Sequence, residues 1–232
     1  MPGVSTVIVA AGRGTRMGHG DKLFLEVAGL PLVGHTWRCF DQLPEADEVI
    51  VVIRDEAKPL FENLAKRINA RKPWWLVAGG AERQESVWNG ISATTAESEI
   101  VAIQDGARPC TSLAAIQSVL VAAREMGAAV LAKRVSDTLK RGDGLAQVVE
   151  TVDRENLWAV QTPQAFRREV ILAALAKVRD EGLSITDDTA ACDAIGQAVK
   201  LVECDQPNPK ATTAADLPFI ESLLKAASEA WE

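Results

Sequence analysis

Positive charge is in short supply in this chain: 25 lysines and arginines stand against 32 aspartates and glutamates, a formal net charge of −7 with histidine neutral. A general nucleic-acid surface needs a basic face to neutralise phosphates, so no nucleic-acid partner is expected and any basic site must be local. Long apolar runs are missing as well. No stretch approaches about 18 uninterrupted apolar residues, the length that would suggest a membrane span. The first residues, MPGVSTVIVAAG, have no basic region ahead of an apolar core, so no membrane partner is expected and the protein should be soluble and cytoplasmic. The four cysteines, at 39, 110, 192 and 204, include no CxxC and no accompanying histidine pair. That excludes the usual zinc and disulfide patterns and leaves reduced thiols. The two histidines, His19 in a glycine-rich segment and His35 on an expected helix face, point to no chemistry.

What is present begins at the amino-terminal end. A hydrophobic content of 47% over 232 residues is enough for the core of one α/β domain spanning residues 1–232. Val4 to Ala10 form a short apolar, β-branched run that empties into AGRGTRMGHGDK, residues 11–22. This segment carries glycines at 12, 14, 18 and 20 and cations at 13, 16 and 22. Glycines let backbone N–H groups crowd around phosphate oxygens, and Arg16 and Lys22 add full charges, so a polyphosphate ligand is indicated. Two better-known phosphate motifs fail. A dinucleotide fingerprint needs a third glycine where Met17 stands, and an acid much nearer than Asp55. A Walker A loop needs Ser or Thr after its lysine, and Leu23 follows Lys22.

Along the chain, apolar runs alternate with segments of helical spacing. Leu23 to Val27 read as a short extended piece and residues 28–31 as a turn, before a helix on Leu32, Val33, Thr36, Trp37 and Phe40. Strands are expected at 49–53, 74–78, 101–103, 128–132 and 199–202, with helices at 60–68, 113–126, 170–178 and from 213 or 214 to 231, and a loop running into a helix over 81–91. Thr186-Asp187-Asp188 offers a further helix start. Such alternation points to βαβ units and a mostly parallel sheet, whose ligands gather at the carboxyl ends of the strands. Gly79-Gly80 before Arg83 and Ser86, and Asp105-Gly106-Ala107-Arg108, lie at two of those ends. The acid and arginine of the latter suit a cation and a phosphate held side by side; a helix cap is the plainer alternative. Residues 136–155 break the helical pattern around Gly142-Asp143-Gly144 and read as a β-hairpin, which needs something to pack on, most simply a second subunit. Residues 157–166 read as a strand end or loop because of Pro163.

Several of these stretches match one set. AAGRGTRMG with Lys22, GGAERQESVWNG, DGARP, SDTLK, TVDRENLWAVQTPQAF, TDD at 186–188 and NPKAT at 208–212 occur in order over nearly the whole chain. Together they resemble the 2-C-methyl-D-erythritol 4-phosphate cytidylyltransferases, enzymes of non-mevalonate isoprenoid biosynthesis that transfer CMP from CTP and release pyrophosphate. The resemblance implies a Rossmann-like α/β domain with a projecting hairpin arm, here about 136–156, that interlocks a homodimer. It places Ala10, Ala11, Gly12, Gly14, Gly80 and Ser86 in the nucleotide pocket, with Asp105 there too as the ligand of Mg2+. It gives catalytic charges to Arg16, Lys22, Arg154 and Lys210, and contacts with the sugar phosphate to Asp105, Arg108, Thr186 and Lys210. Thr138 and Arg154, at the two ends of the arm, would reach that phosphate from the partner subunit.

This chain departs from the family pattern in having Gln104 where histidine is usual, Asp21-Lys22-Leu23 for Pro-Lys-Gln, Pro209 between Asn208 and Lys210, and Ala81 for an acid. An acidic Asp21 beside Lys22 works against the local positive potential. Three alternatives keep the same loop: a ribitol 5-phosphate cytidylyltransferase, a sugar nucleotidyltransferase using another NTP, and a CTP-binding module without turnover.

Overall fold

The computed structural model describes residues 3–12 and 21–229. Among them, a seven-stranded sheet forms the centre of one α/β domain. Its strands are β1 (Gly3–Val9), β4 (Ala46–Ile53), β5 (Trp74–Ala78), β6 (Ser98–Asp105), β7 (Ala128–Arg134), β10 (Trp158–Arg167) and β11 (Lys200–Glu203). They lie in the order β11-β7-β10-β6-β1-β4-β5, and only β10 runs against its neighbours. The expected mostly parallel sheet is therefore present.

Burial on both faces explains the continuous apolar runs. Val49, Val51 and Ile53 of β4 join the core beneath α1 (Leu32–Gln42), α2 (Lys58–Arg67), α4 (Leu113–Met126) and α7 (Leu217–Glu229). Ile50 and Val52, one residue out of phase, join the opposite core beneath α3 (Arg83–Ser92), α5 (Arg168–Asp180) and α6 (Asp188–Asp193). Trp37 and Phe40 of α1 and Phe61 of α2 fill the first layer, whereas Val87 and Ile91 of α3 and Ile171 and Leu175 of α5 fill the second. Gly90 lets α3 sit close on the sheet, since a Cβ there would strike Val7 and Val52. That close seat carries the start of α3, with Arg83 and Ser86, to the carboxyl edge of the strands.

Two expectations need correction. Lys22–Phe24 is a turn of 3-10 helix, because the Asp21 carboxylate accepts the Leu23 N–H and caps it. Only Glu26–Val27 (β2) and Leu30–Pro31 (β3) are extended, as a two-residue pair. Residues 158–167 are the strand β10 rather than a strand end or loop. The pairing of β10 with β7 jumps from Val160–Ala132 to Gln164–Val130. The bulge takes in Pro163, which has no N–H to give to a ladder, and so the proline is tolerated in mid-sheet.

Beyond the sheet, β8 (Leu139–Gly142) and β9 (Val148–Val152) form a separate two-stranded hairpin. No helix among the described residues is long and apolar enough to cross a membrane. All four cysteines are free, and burial pushes the Cys39, Cys110 and Cys192 thiols up to about 12, which keeps them protonated. His35 is buried in α1 with Nε2 2.7 Å from the Val27 carbonyl oxygen, so it serves the core.

Candidate active site

Two adjoining pockets open at the carboxyl edge of the sheet. The first is lined by Ala10, Ala11 and Gly12 after β1, Lys22 and Leu23, Gly80 to Arg83, Ser86, and Asp105 to Ala107. The second lies beside β10 and α6 and is lined by Arg108, Gln161, Thr162, Gln164, Thr186 and Asp187, among others. Arg83, Asp105 and Lys210 belong to both. They form the wall that the two pockets share.

The first pocket is built from backbone. Gly79 allows the turn after β5 to approach Ala11, and the Gly80 N–H donates to Ser86 Oγ at 3.0 Å. Ser86 in turn donates to the Glu82 carbonyl at 3.2 Å, so its hydroxyl holds the glycine turn in place. Every expected nucleotide-side residue that is described, namely Ala10, Ala11, Gly12, Gly80, Ser86 and Asp105, lines this pocket. Gly14 and Arg16 lie outside the described residues.

Charge concentrates where the pockets meet. Asp105, at the end of β6, receives Lys210 Nζ at 2.8 Å and Arg108 Nε at 3.4 Å, with Arg83 at 3.9 Å. Burial pushes the Asp105 carboxyl up, but Lys210, Arg83 and Arg108 outweigh it and hold it below the ordinary value. Its N–H donates to Thr162 Oγ1, delivered by the bulge in β10. Arg83 makes a bidentate pair, at 2.8 and 2.7 Å, with the fully buried Asp188 of α6. Such a planar fork fixes the guanidinium between the pockets.

Lys210 and Lys22 are held by the chain that follows β11. Arg108 donates to the Asn208 carbonyl at 2.7 Å, and Asn208 Nδ2 donates to the Thr162 carbonyl at 3.0 Å. Lys22 Nζ donates to the Ala211 carbonyl at 3.0 Å, and the Ala211 N–H to the Ala107 carbonyl at 2.9 Å. The two lysines therefore meet at one loop from segments far apart in sequence. Gln104 supports the same loop: its side-chain amide donates to Thr111 Oγ1 at 2.9 Å, and Thr111 donates to Asn208 Oδ1 at 2.9 Å.

That loop ends in a charged cap. Asp216 accepts the N–H groups of Thr212 and Thr213, both at 2.8 Å, and their hydroxyls. Those backbone donors, Thr213 first, lower its carboxyl from 3.8 to about 2. The folded value is the lower one, so the stabilisation is complete above the ordinary carboxylate range and is lost as pH falls toward about 2. Asp216→Ala should cost about 1 kcal/mol near neutral pH. Urea unfolding should show the deficit shrinking as the pH is lowered through the 3.8-to-2 window; a deficit independent of pH would reject the cap.

Thr186 lines the second pocket, together with Arg108 and Lys210. Thr138 and Arg154 line neither pocket of their own chain. Both are exposed at the foot of the hairpin, where Arg154 donates to the Ser136 carbonyl. Asp21 is not a bare negative charge beside Lys22, because Arg54 pairs with it at 2.5 Å. Sequence reasoning passed over Arg54, Thr162 and the Arg83–Asp188 pair. Arg83 and Arg54 carried one legible signal, a cation just beyond the carboxyl end of a strand.

A mostly parallel α/β sheet with a glycine-lined pocket, cations and a carboxylate at its carboxyl edge suits a nucleotidyltransferase. The family model described as 2-C-methyl-D-erythritol 4-phosphate cytidylyltransferase matches residues 4–226, and the chain belongs to that family. Proteins of that name from Geobacillus kaustophilus and Caldanaerobacter subterraneus are both 42% identical to it. They cover 94% and 96% of this chain and 95% and 99% of their own. The solved structure of the Thermus thermophilus enzyme of the same name superposes with a TM-score of 0.81 at 34% identity, over 96% of this chain and 99% of that one. A 4-diphosphocytidyl-2C-methyl-D-erythritol synthase from Anaerococcus prevotii gives 0.84 at 29% identity, over 96% and 98%.

Proposed function

We propose that the protein transfers CMP from CTP to 2-C-methyl-D-erythritol 4-phosphate, with release of pyrophosphate, in cytoplasmic isoprenoid biosynthesis. The observation that carries the reading is the pair of adjoining pockets with Arg83, Asp105 and Lys210 in their common wall. Transfer between two phosphorylated substrates needs such an arrangement.

An oxygen of the acceptor's phosphate monoester attacks the α-phosphorus of CTP in line; the new P–O bond forms as the bond to the β-phosphate bridge breaks, and pyrophosphate carries away the electron pair. That oxygen is already anionic near neutral pH, so no general base is assigned. The barrier is electrostatic, since two anions must meet. Lys22 and Arg16 stabilise the charge gathering on the α-phosphate, while Lys210 and Arg108 draw in the acceptor phosphate. Backbone N–H groups around Gly12 hold the triphosphate, and the Gly80 turn, braced by Ser86, shapes the pocket beside it.

Asp105 would hold Mg2+. Among the described residues no cluster of three or more His, Cys, Asp or Glu side chains is arranged for a metal. One carboxylate at the mouth of both pockets suits a cation that keeps most of its shell in water and substrate phosphates. When bound, the ion neutralises phosphate charge and acts as a Lewis acid.

Homodimerisation through the arm at about 136–156 fits the same reading. Leu145, Val148 and Val149 are 78%, 67% and 62% exposed on the hairpin, and a lone two-stranded hairpin is marginal in water. A self-complementary contact would cover them and bring Thr138 and Arg154 to the partner's second pocket. Arg154→Ala should then raise the apparent KM for the sugar phosphate and leave CTP binding largely intact. Steady-state kinetics with each substrate varied would check this, and an effect confined to CTP would overturn it.

The reading is tested by pyrophosphate release from CTP and Mg2+ with 2-C-methyl-D-erythritol 4-phosphate, with ribitol 5-phosphate, and with no acceptor. Release only with the first is expected. Release only with ribitol 5-phosphate would reassign the acceptor. CTP binding with no release from either would make the protein a binding module, and preference for UTP or GTP would change the donor.

A further inference from the structure

We propose that Arg54, acting through Asp21, is a positioning residue for the nucleotide phosphates; this rests on the cytidylyl-transfer reading above. Arg54 directly follows β4, beside the outlets of β1 and β5. There the Ala10 N–H donates to the Val52 carbonyl and the Gly79 N–H to the Ile53 carbonyl, each at 2.8 Å. Its guanidinium works in two directions at once. Nη1 donates to the Gly12 carbonyl at 3.0 Å and lies 3.5 Å from that of Ala11, while Nη2 donates to Asp21 Oδ2 at 2.5 Å. The other Asp21 oxygen accepts the Leu23 N–H at 3.1 Å and caps the turn that contains Lys22. One planar group therefore ties the backbone that leaves β1 to the residue that precedes Lys22. A lysine, a single point charge, cannot span carbonyls on one side and a carboxylate on the other in the same way.

Two consequences follow for the first pocket. Gly12 and Lys22, which both line it, are held at a set separation. The carboxylate of Asp21, one residue from the lysine, is neutralised where a triphosphate would otherwise meet its repulsion. The side chains of Arg54 and Asp21 are only 19% and 11% exposed, so the pair differs from an ordinary solvated surface bridge. Glu56, which also receives Arg54 at 3.1 Å, is 70% exposed and sits at the rim. Arg54 lines neither pocket and acts through Asp21 and the backbone of residues 11 and 12.

The test compares the full-length protein with Arg54→Gln, Arg54→Lys, Asp21→Asn and the Arg54→Gln/Asp21→Asn double variant. Each is checked for an unchanged fold by circular dichroism, and KM for both substrates and kcat are measured. Arg54→Gln should lower kcat/KM for CTP by about tenfold or more, because it orphans a largely shielded carboxylate beside the phosphate site. KM for the acceptor should stay within about twofold, since the pair faces the nucleotide side only. The double variant should exceed Arg54→Gln in kcat/KM, as the orphaned charge is gone, and Arg54→Lys should recover part of the loss. Wild-type kcat/KM in Arg54→Gln, a loss shared equally by acceptor KM, or a double variant equal to the product of the two single effects would overturn the proposal. Calorimetric CTP binding without acceptor keeps it separate from the parent reading. If the wild-type protein binds CTP but releases no pyrophosphate, weaker binding by Arg54→Gln still supports the clamp and unchanged binding still rejects it.

Discussion

Lys22→Ala is expected to lower turnover on the order of 10²-fold or more, the usual cost of removing one preorganised donor to charge developing in a transition state. The ammonium group is held in advance. Asp21 caps the turn that begins at Lys22, and Nζ donates to the Ala211 carbonyl in the loop that also carries Lys210. A charge already fixed in place needs little reorganisation when the α-phosphate gains negative character, so it favours the transition state more than the ground state. The loss should therefore fall mainly on kcat, with a smaller rise in KM for CTP. Single-turnover pyrophosphate release with saturating CTP would read it, beside a thermal melt to show that the fold survives. Near-normal turnover would remove Lys22 from the mechanism.

The second large effect is expected at Asp105. Asp105→Asn keeps the size of the side chain and the backbone N–H that donates to Thr162, but deletes the charge that Lys210, Arg108 and Arg83 surround. Turnover should fall by about 10²-fold or more, because the proposed metal carboxylate is lost. KM for the acceptor should not rise, since Lys210 and Arg108 stay positive and are freed from their internal partner. The Mg2+ concentration needed for half-maximal activity should increase. An Asp105→Asn protein with wild-type Mg2+ dependence would refute the metal role, whatever its turnover.

The carboxyl-edge rule of open α/β sheets served well for the first pocket. It selected the Gly79-Gly80 turn after β5 and Asp105 at the end of β6, and Gly80 and Asp105 line one cavity with Gly12 of the glycine segment after β1. The same rule picked out Arg83 at the start of a helix but gave it no role. Its partner Asp188 lies 105 residues away, and a long flexible side chain does not declare its direction in the sequence. Pro163 misled for a different reason. A proline speaks against a mid-sheet strand unless a bulge removes the ladder bond it cannot make, and the bulge arises from pairing with β7. Asp21 looked unfavourable for phosphate binding only while Arg54, 33 residues on, was unseen.

Local periodicity was sufficient for most of the elements. Residues 74–78 and 113–126, read as strand and helix from apolar spacing alone, are the strand β5 and the helix α4. Side-chain direction repeats every two residues in a strand and about every 3.6 in a helix, so the pattern of burial is written in the order of residues. The charge network at the site could not be written that way. Asp105 meets Lys210, Lys22 meets the loop at Ala211, and Arg54 meets both Gly12 and Asp21 only because strands distant in the chain end side by side. Which cation neutralises which carboxylate depends on distance and shielding from water, and those exist only once the sheet has formed.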